Sequence, residues 1–327
     1  MCITPHVLAL DLPAELMYNN LVSGGDEFLY LTQDEKACLM IEKEPGINDT
    51  FEYSTEYNGT YFDSIKSLCE GYKNSVYLPG GDFLIGRLLI KDNGTLWGYS
   101  VENDTINFNK IEGIENCIKA CTGRRFAIAL LSDGTVYTWG YRIYGSREEL
   151  QYDDPGYVGY PEKIEGLENI VDIAVRDECA YALDSDGYVY TWGKNIYNKS
   201  KENGVPQKID GIKDCVEIDH GFAYLLARTV TGEVYQLVDR YELGLYFPDK
   251  YYTPTLINGV NNCVHISAGP YGMEGIMLSN DRKILHFEGS IFNVLIYDNE
   301  DEEKIHRVVA EEFGKPIEVA ASTKFIL

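Results

Sequence analysis

The sequence predicts an all-β protein assembled from a repeated hairpin unit, and three observations indicate this. Residues 132–140 (SDGTVYTWG) and 185–193 (SDGYVYTWG) are nearly identical and lie 53 residues apart. Each contains Asp-Gly between alternating apolar residues, which is typical of a tight β-hairpin because the turn requires positive φ. The composition, with 26 Tyr and 31 Gly but only 11 Pro, also favours strands joined by turns.

A second pattern keeps register with the hairpin and recurs along the chain. It has the approximate form Pro-x-x-Ile-x-Gly-Ile-x-Asn-Cys, and its copies lie at 110–118, 161–171, 206–216 and 254–264, with a divergent copy at 69–76. Weaker copies of the hairpin lie at 92–98, 231–235 and 281–285. A glycine often follows six residues after the cysteine position, and the spacing from Gly24 to Ser322 corresponds to seven units of about 50 residues.

Each unit is predicted to contain four short strands. In the unit around Cys117 these are 117–121, 125–131, 135–139 and 162–165. Four antiparallel strands per repeat of this length predict a seven-bladed β-propeller, with 1–327 as a single domain. Neighbouring blades must stack because one blade cannot bury both of its faces. The seventh blade is expected to combine residues 4–10 with 316–327 and thereby close the ring.

The charge indicates which partners are compatible with the chain. Asp and Glu number 52 against 28 Lys and Arg, which gives a net charge of −24. This argues against direct binding to nucleic acid and favours a basic protein partner. The sequence contains no run of eighteen apolar residues, so no membrane span is predicted. Residues 1–6 lack the pattern of a secretory signal. We therefore expect a cytoplasmic, acidic monomer without direct contact to nucleic acid or membrane.

The hairpin Asp-Gly-x-Val-Tyr-x-Trp-Gly followed by Pro-x-x-Ile resembles the regulator-of-chromosome-condensation repeat family. The resemblance is strongest from residue 91 to 269, and 192–197 and 241–245 keep fragments of the family's Asn-x-x-Gly-Gln-Leu-Gly loop. The family often has a His three residues after the glycine of strand one. The residues here are Leu84, Phe126, Cys179, Tyr224 and Phe325. The resemblance therefore implies a divergent member, of the bacterial type.

The reactive side chains are interpreted as structural. Most of the eight cysteines lie at repeat positions that apolar residues occupy elsewhere, and the five histidines show no metal-ligand spacing. Trp97, Trp139 and Trp192 recur near the end of strand three, where packing is expected. No catalytic residue, metal ligand or cofactor site is predicted, so we expect a protein that is not an enzyme.

The predicted binding site consists of loops on one face of the blades. In an up-and-down blade, the loops after strands one and three open on the face opposite the Asp-Gly turns. These loops are rich in Tyr and Arg, the residue types that are enriched at interface hot spots. The candidate partner-binding residues are Tyr99, Arg124, Arg125, Tyr141, Arg142, Tyr144, Asn195, Tyr197, Phe222, Tyr241, Glu242, Tyr246, Phe247 and Tyr271.

Three functions follow as hypotheses. The first is a protein-binding propeller that acts as an inhibitor or immunity-like partner of a basic protein, as the resemblance to bacterial inhibitors of β-lactamases implies. The second is guanine-nucleotide exchange on a small GTPase, which the best-known branch of the family implies. The third is binding of a carbohydrate or other small ligand in a central pocket.

Overall fold

The fold is described from a computed structural model. The residues it describes are 20–24, 27–31, 37–42, 51–54, 56–57, 60–61, 65–71, 76–77, 83–84, 86–102, 105–123, 126–141, 157–176, 179–193, 205–221, 224–238, 253–268, 274–281, 284–290 and 293–298. Within these ranges the regular structure is entirely β. Six antiparallel four-stranded meanders follow one another along the chain, and we number them blades 1–6.

The first half of the described chain forms blades 1–3. Blade 1 contains β1 (Asn20–Gly24), β2 (Glu27–Leu31), β3 (Ala37–Glu42) and β4 (Phe51–Ser54), and a short hairpin of β5 (Glu56–Tyr57) and β6 (Thr60–Tyr61) follows it. Blade 2 contains β7 (Ile65–Leu68), β11 (Gly86–Lys91), β12 (Leu96–Glu102) and β13 (Thr105–Lys110), and between its first two strands lie β8 (Glu70–Gly71), β9 (Val76–Tyr77) and β10 (Phe83–Leu84). Blade 3 contains β14 (Cys117–Thr122), β15 (Phe126–Leu131), β16 (Val136–Tyr141) and β17 (Tyr157–Lys163), with β8 parallel to β14.

The second half repeats the same meander three times. Blade 4 contains β18 (Ile170–Arg176), β19 (Cys179–Asp184), β20 (Val189–Gly193) and β21 (Gln207–Lys208). Blade 5 contains β22 (Cys215–His220), β23 (Tyr224–Thr229), β24 (Val234–Val238) and β25 (Thr255–Leu256). Blade 6 contains β26 (Cys263–Ala268), β27 (Glu274–Ser279), β28 (Ile284–Ser290) and β29 (Asn293–Asp298).

The strands predicted around Cys117 are confirmed within one or two residues, except that strand four is longer. It begins at Tyr157, five residues before the predicted start. Its pairing with β16 shifts around Pro161, because Gly140 faces Val158 whereas Thr138 faces Glu162. Proline has no N–H to donate, and an outer strand tolerates it because that strand has a paired neighbour on one side only.

The predicted register of blade 2 is wrong. The pattern at 69–76 predicts that the first strand follows it, but β11 pairs with β7, which precedes it. The hydrogen bond of Cys69 shows how this copy differs from the other repeats. Its N–H donates to the carbonyl of Leu88 in strand two at 3.2 Å. At the matching position of the true repeat, the Ile111 N–H donates to Leu96 at the start of strand three.

The predicted seventh blade lies outside the described residues. Its proposed parts, 4–10 and 316–327, are not among the ranges given above. The count of seven, the closure of the ring and the single domain over 1–327 therefore stay predictions.

The hydrophobic cores lie between blades rather than within one blade. The first strands of blades 3–6 (β14, β18, β22 and β26) pack side by side with Cα atoms within 8 Å, and we call them inner strands. One core joins Phe126 and Ile128 of blade 3 to Trp192 of blade 4, and the next joins Tyr181 of blade 4 to Leu225 of blade 5. Burial of one large apolar side chain stabilises a fold by about 1.5–3 kcal/mol, so each blade depends on its neighbour.

The Asp-Gly turns also hold successive blades together. The carbonyl of each turn glycine accepts a hydrogen bond from the first residue of the next inner strand, as in Gly187 to Cys215 at 3.1 Å. A Cβ on Gly187, whose φ is +83°, would lie 2.8 Å from Asp214 Cα and from Cys215 N. Positive φ and the close approach of the next blade therefore both require glycine at this turn.

We predict that Gly187→Ala destabilises the protein more than Gly166→Ala does. Both glycines have φ near +82°, so both variants carry the strain of about 1–2 kcal/mol for a left-handed residue. A Cβ on Gly166 would meet no atom within 4 Å, whereas the Cβ of Gly187→Ala meets backbone and should cost about 1–3 kcal/mol more. Urea unfolding of both variants measures the difference in the free energy of unfolding. Equal losses of stability would contradict the role of the Gly187 turn in holding blades 4 and 5 together.

Candidate functional site

The meander places all connections on two opposite faces. The loops after strands one and three open on one face, which we call the loop face. The turns between strands two and three, together with the connections between blades, lie on the other face, which we call the turn face. Its described parts are the turns 92–94, 132–134, 185–187, 230–232 and 280–281 and the connections 111–116, 164–169, 209–214 and 257–262.

The sequence assigns the predicted partner-binding residues to the loop face, and only two of them are described. Tyr99 lies in β12 opposite Arg87 and Phe108, and Tyr141 lies in β16 opposite Tyr157. Both therefore belong to strand three: Tyr141 is its last residue, whereas Tyr99 lies three residues before its end. The others, Arg124, Arg125, Arg142, Tyr144, Asn195, Tyr197, Phe222, Tyr241, Glu242, Tyr246, Phe247 and Tyr271, lie outside the described residues, and their binding role stays a prediction.

The turn face carries exposed aliphatic residues at one repeated position. The second residue of each inner strand of blades 3–6 is a β-branched residue whose exposed fraction is 39–49%. We call this set the aliphatic arc, and it consists of Ile118, Val171, Val216 and Val264. The arc was not predicted from the sequence, although each of its members directly follows the repeated cysteine or isoleucine that begins the inner strand.

Acidic residues surround this arc. Among the described turn-face residues, ten exposed carboxylates stand against one exposed lysine, Lys213. We call them the acidic rim, and they are Asp92, Glu112, Glu115, Asp133, Glu165, Glu168, Asp186, Asp210, Asp214 and Asp281. The rim is uneven, because the connection 257–262 beside Val264 contains no charged residue.

A second polar cluster follows the inner strands, where carboxylates of one blade bind amides of the next. Asp172 of blade 4 accepts the N–H of Ile218 in blade 5 at 3.0 Å. Glu217 and Asp219 of blade 5 accept the N–H groups of Ile266 and Ala268 in blade 6, at 3.4 and 2.6 Å. These inner strands have a hydrogen-bonded strand on one side only, so the carboxylates bind amides that the sheet leaves open.

Blade 3 has a lysine at this position, and the contact changes accordingly. A lysine cannot accept a hydrogen bond, so Lys119 does not bind the next amide. Instead its Nζ lies 2.6 Å from Asp172 Oδ1, which also accepts the N–H of Ile173. The same repeat position therefore links blades 3–6 through a lysine in blade 3, carboxylates in blades 4 and 5, and a histidine in blade 6.

Glu217 is the most strongly constrained member of this cluster. Its carboxylate lies 2.6 Å from Arg228 Nε and 2.5 Å from His265 Nδ1. Burial by itself raises the pKa of Glu217, but the hydrogen bond and charge of His265, together with Arg228, outweigh burial and lower that pKa. The carboxylate of Glu217 therefore links blades 5 and 6 through His265 and the N–H of Ile266.

We predict that Glu217→Gln lowers stability at neutral pH and flattens the stability profile in acid. Removing the charge weakens the bonds to Arg228 and His265, which should cost about 2 kcal/mol. Because the folded pKa is lowered, this stabilisation is present above the ordinary pKa of glutamate and is lost as the pH falls through the folded value. Urea unfolding as a function of pH measures both effects.

The matched control is Glu168→Gln, since Glu168 is an exposed carboxylate of the acidic rim. It should change stability at neutral pH by no more than about 0.5 kcal/mol. If acidification destabilises Glu217→Gln as much as the parent protein, the proposed role of this carboxylate is wrong.

The six described cysteines and two of the tryptophans pack in the protein interior, as the sequence predicts. The six described cysteines are buried, and burial raises the pKa of Cys215 and Cys263 to about 12, which leaves thiols rather than nucleophilic thiolates at neutral pH. Trp139 and Trp192 belong to the cores between blades. The placement of Trp97 is wrong, because it faces Leu89 as Tyr137 faces Ala129, two residues before the Trp139 position.

Among the described residues, no group of three His, Cys, Asp or Glu side chains could hold a metal ion. In the same part of the chain, no helix has the length and apolar character needed to span a membrane.

Successive four-stranded meanders that share hydrophobic cores and pack their inner strands side by side define a repeat protein of the β-propeller class. No protein-family model matches the sequence. Among curated proteins, the chain is similar to E3 ubiquitin-protein ligase HERC2 of Mus musculus, with 38% identity over 80 residues that cover 24% of this chain and 2% of that protein. It is also similar to the secretion-regulating guanine nucleotide exchange factor of Bos taurus, with 28% identity over 139 residues, or 37% of this chain and 29% of that protein.

A third relative is the regulator of chromosome condensation of Xenopus laevis, which is 25% identical over 129 residues, or 37% of this chain and 30% of that protein. The chain thus spans less than a third of each of these three relatives. The comparisons therefore support the resemblance of its repeats to those of the regulator-of-chromosome-condensation family. Its assignment to a bacterial-type branch stays a prediction.

Solved structures agree with this fold. Human WBSCR16 superimposes with a TM-score of 0.67 at 14% identity, over 99% of this chain and 87% of that chain. Prp20p of Saccharomyces cerevisiae gives a TM-score of 0.53 at 15% identity, over 74% of this chain and 63% of that chain. At these identities the likeness shows the fold alone.

Proposed function

We propose that this chain is a protein-binding propeller that recognises a basic protein partner through the loops of the loop face. It acts by binding rather than by catalysis, as a cytoplasmic monomer without direct contact to nucleic acid or membrane. A buried, protonated thiol such as Cys215 suits a reducing compartment. An inhibitory or immunity-like role is the form of binding we favour.

The observation that carries this proposal is the contrast between constant blades and variable loops. The connection after strand three has two residues in blade 2 (103–104) but fifteen in blade 3 (142–156). The strands and Asp-Gly turns on either side keep their register. Loops that vary on a rigid scaffold are where recognition residues concentrate, and these loops carry Tyr and Arg.

Two further observations support a protein partner. Prp20p of Saccharomyces cerevisiae binds Gsp1p and histones, so a propeller of the same fold binds proteins. The net charge of −24 favours encounter with a basic surface.

We predict that replacing Tyr141, Tyr144 and Tyr197 together with alanine abolishes partner binding. Tyrosines at interface hot spots contribute about 2 kcal/mol or more each, so the triple variant should lose affinity by several orders of magnitude. The partner is first captured from the native source and identified by mass spectrometry. Calorimetry with the purified partner then measures the affinity, and thermal unfolding verifies that stability is unchanged.

The matched control is Tyr160→Ala, because Tyr160 lies in outer strand β17 and is 65% exposed. It removes the same side chain from a position outside the loop face and should leave the affinity unchanged. Equal affinity of the triple variant and the parent protein would refute the assignment of the site.

Guanine-nucleotide exchange is the second candidate function. The similarity to the bovine secretion-regulating guanine nucleotide exchange factor favours it. A fluorescent-nucleotide release assay across a panel of small GTPases discriminates between the two. Our proposal predicts no acceleration, and accelerated release from any member would replace it with the exchange function.

A further inference from the structure

The aliphatic arc is an unusual feature for the surface of a single chain. Four consecutive inner strands each expose a β-branched side chain at the same position, although the residue directly before it in the strand, such as Cys215, is buried. Because the inner strands lie side by side, the four residues form one curved row at the turn-face end of these strands. Contiguous exposed apolar surface that polar residues surround is typical of interaction sites.

Blade 5 extends this row outward. Val230, in the turn between β23 and β24, is 69% exposed, and its N–H donates to the carbonyl of Asp214 at 2.9 Å. Asp214 lies two residues before Val216, so the turn and the arc belong to one continuous surface. The exposed apolar surface is therefore most extensive in blade 5, where Asp214 borders it.

The charge around the row determines the class of occupant. The acidic rim supplies ten exposed carboxylates, and two lysines pair with three of them. Lys213 Nζ is 3.8 Å from Asp214 Oδ2, and Lys110 Nζ, from the end of β13, is 2.9 Å from Glu115 Oε1 and 4.0 Å from Glu112 Oε2, so the rim stays strongly negative. A second copy of this chain would bring its own acidic rim against the first, and like charges at an interface are unfavourable. A segment that carries both lysine or arginine and aliphatic side chains complements the row and the rim together.

We propose that the turn face binds a basic, aliphatic protein segment, whose apolar side chains cover the aliphatic arc and whose cations pair with the acidic rim. This surface is separate from the loop face and does not depend on the function proposed above. The basic residues of the bound segment face blades 3–5, because the connection beside Val264 in blade 6 is uncharged. The loop face and the turn face are then two interaction surfaces on one scaffold.

The test uses the full chain and a fluorescein-labelled synthetic peptide that alternates lysine and valine, read by fluorescence anisotropy. Two comparison peptides replace valine with serine, or lysine with glutamate. We expect the lysine–valine peptide to bind at least about tenfold more tightly than either comparison peptide. Equal binding of the lysine–serine peptide would overturn the proposal, because the acidic surface alone would then account for it.

The decisive variant is the double substitution Val171→Thr with Val216→Thr. Threonine keeps the β-branched shape at these exposed positions but loses apolar contact, so the Kd for the lysine–valine peptide should rise by about tenfold or more. The control is Val205→Thr, since Val205 is 50% exposed and lies two residues before β21, outside the arc. An unchanged Kd for the double variant, or the same loss for the control, would overturn the proposal.

Two further outcomes distinguish this site from a self-interface and from the loop face. Sedimentation of the parent protein without peptide should show a monomer, and a dimer that the double variant dissociates would make the arc a self-interface instead. The loop-face variant with Tyr141, Tyr144 and Tyr197 replaced should bind the peptide normally. Loss of peptide binding in that variant would place the peptide on the loop face and overturn the turn-face assignment.

Discussion

The structure depends on one constraint: no blade can satisfy its inner strand or bury its faces without its neighbours. In blades 4–6 the inner strand has a sheet neighbour on one side only, so its open amides need acceptors from the adjacent blade. Asp172 and Glu217 provide these acceptors across successive blades, and the turn glycines provide another through their carbonyl groups. Cores such as the one that joins Phe126 to Trp192 act in the same direction. The blades therefore stabilise one another as pairs of neighbours.

This arrangement separates the frame from recognition. The core side chains that join neighbouring blades lie at repeated, buried positions, which leaves little freedom to change them. The loops of the loop face and the exposed positions of the turn face carry no such duty, so their chemistry can follow a partner. The many carboxylates of the chain serve both parts. Asp172 is mostly buried and links blades, whereas Asp214 is exposed on the turn face.

The sequence predicted those elements that require particular residues and missed those that do not. The turn at Gly187 was predictable because positive φ and a close backbone contact admit glycine alone. Trp97 was misplaced because its identity matched Trp139, whereas its distance from the turn glycine matches Tyr137. The links between blades gave no signal, since the residues at this shared position, Lys119, Asp172, Glu217 and His265, differ in type and charge. Their common function is visible only once neighbouring strands are placed together.

Hydrogen exchange of the inner-strand amides tests most directly whether the blades stabilise one another. Exchange measured by mass spectrometry on peptides from β18, β22 and β26 gives the free energy of opening for each blade. If neighbouring blades hold one another, these three strands should open with one common free energy close to that of global unfolding. Three distinct and lower free energies, one for each blade, would contradict mutual stabilisation, because the blades would then open independently.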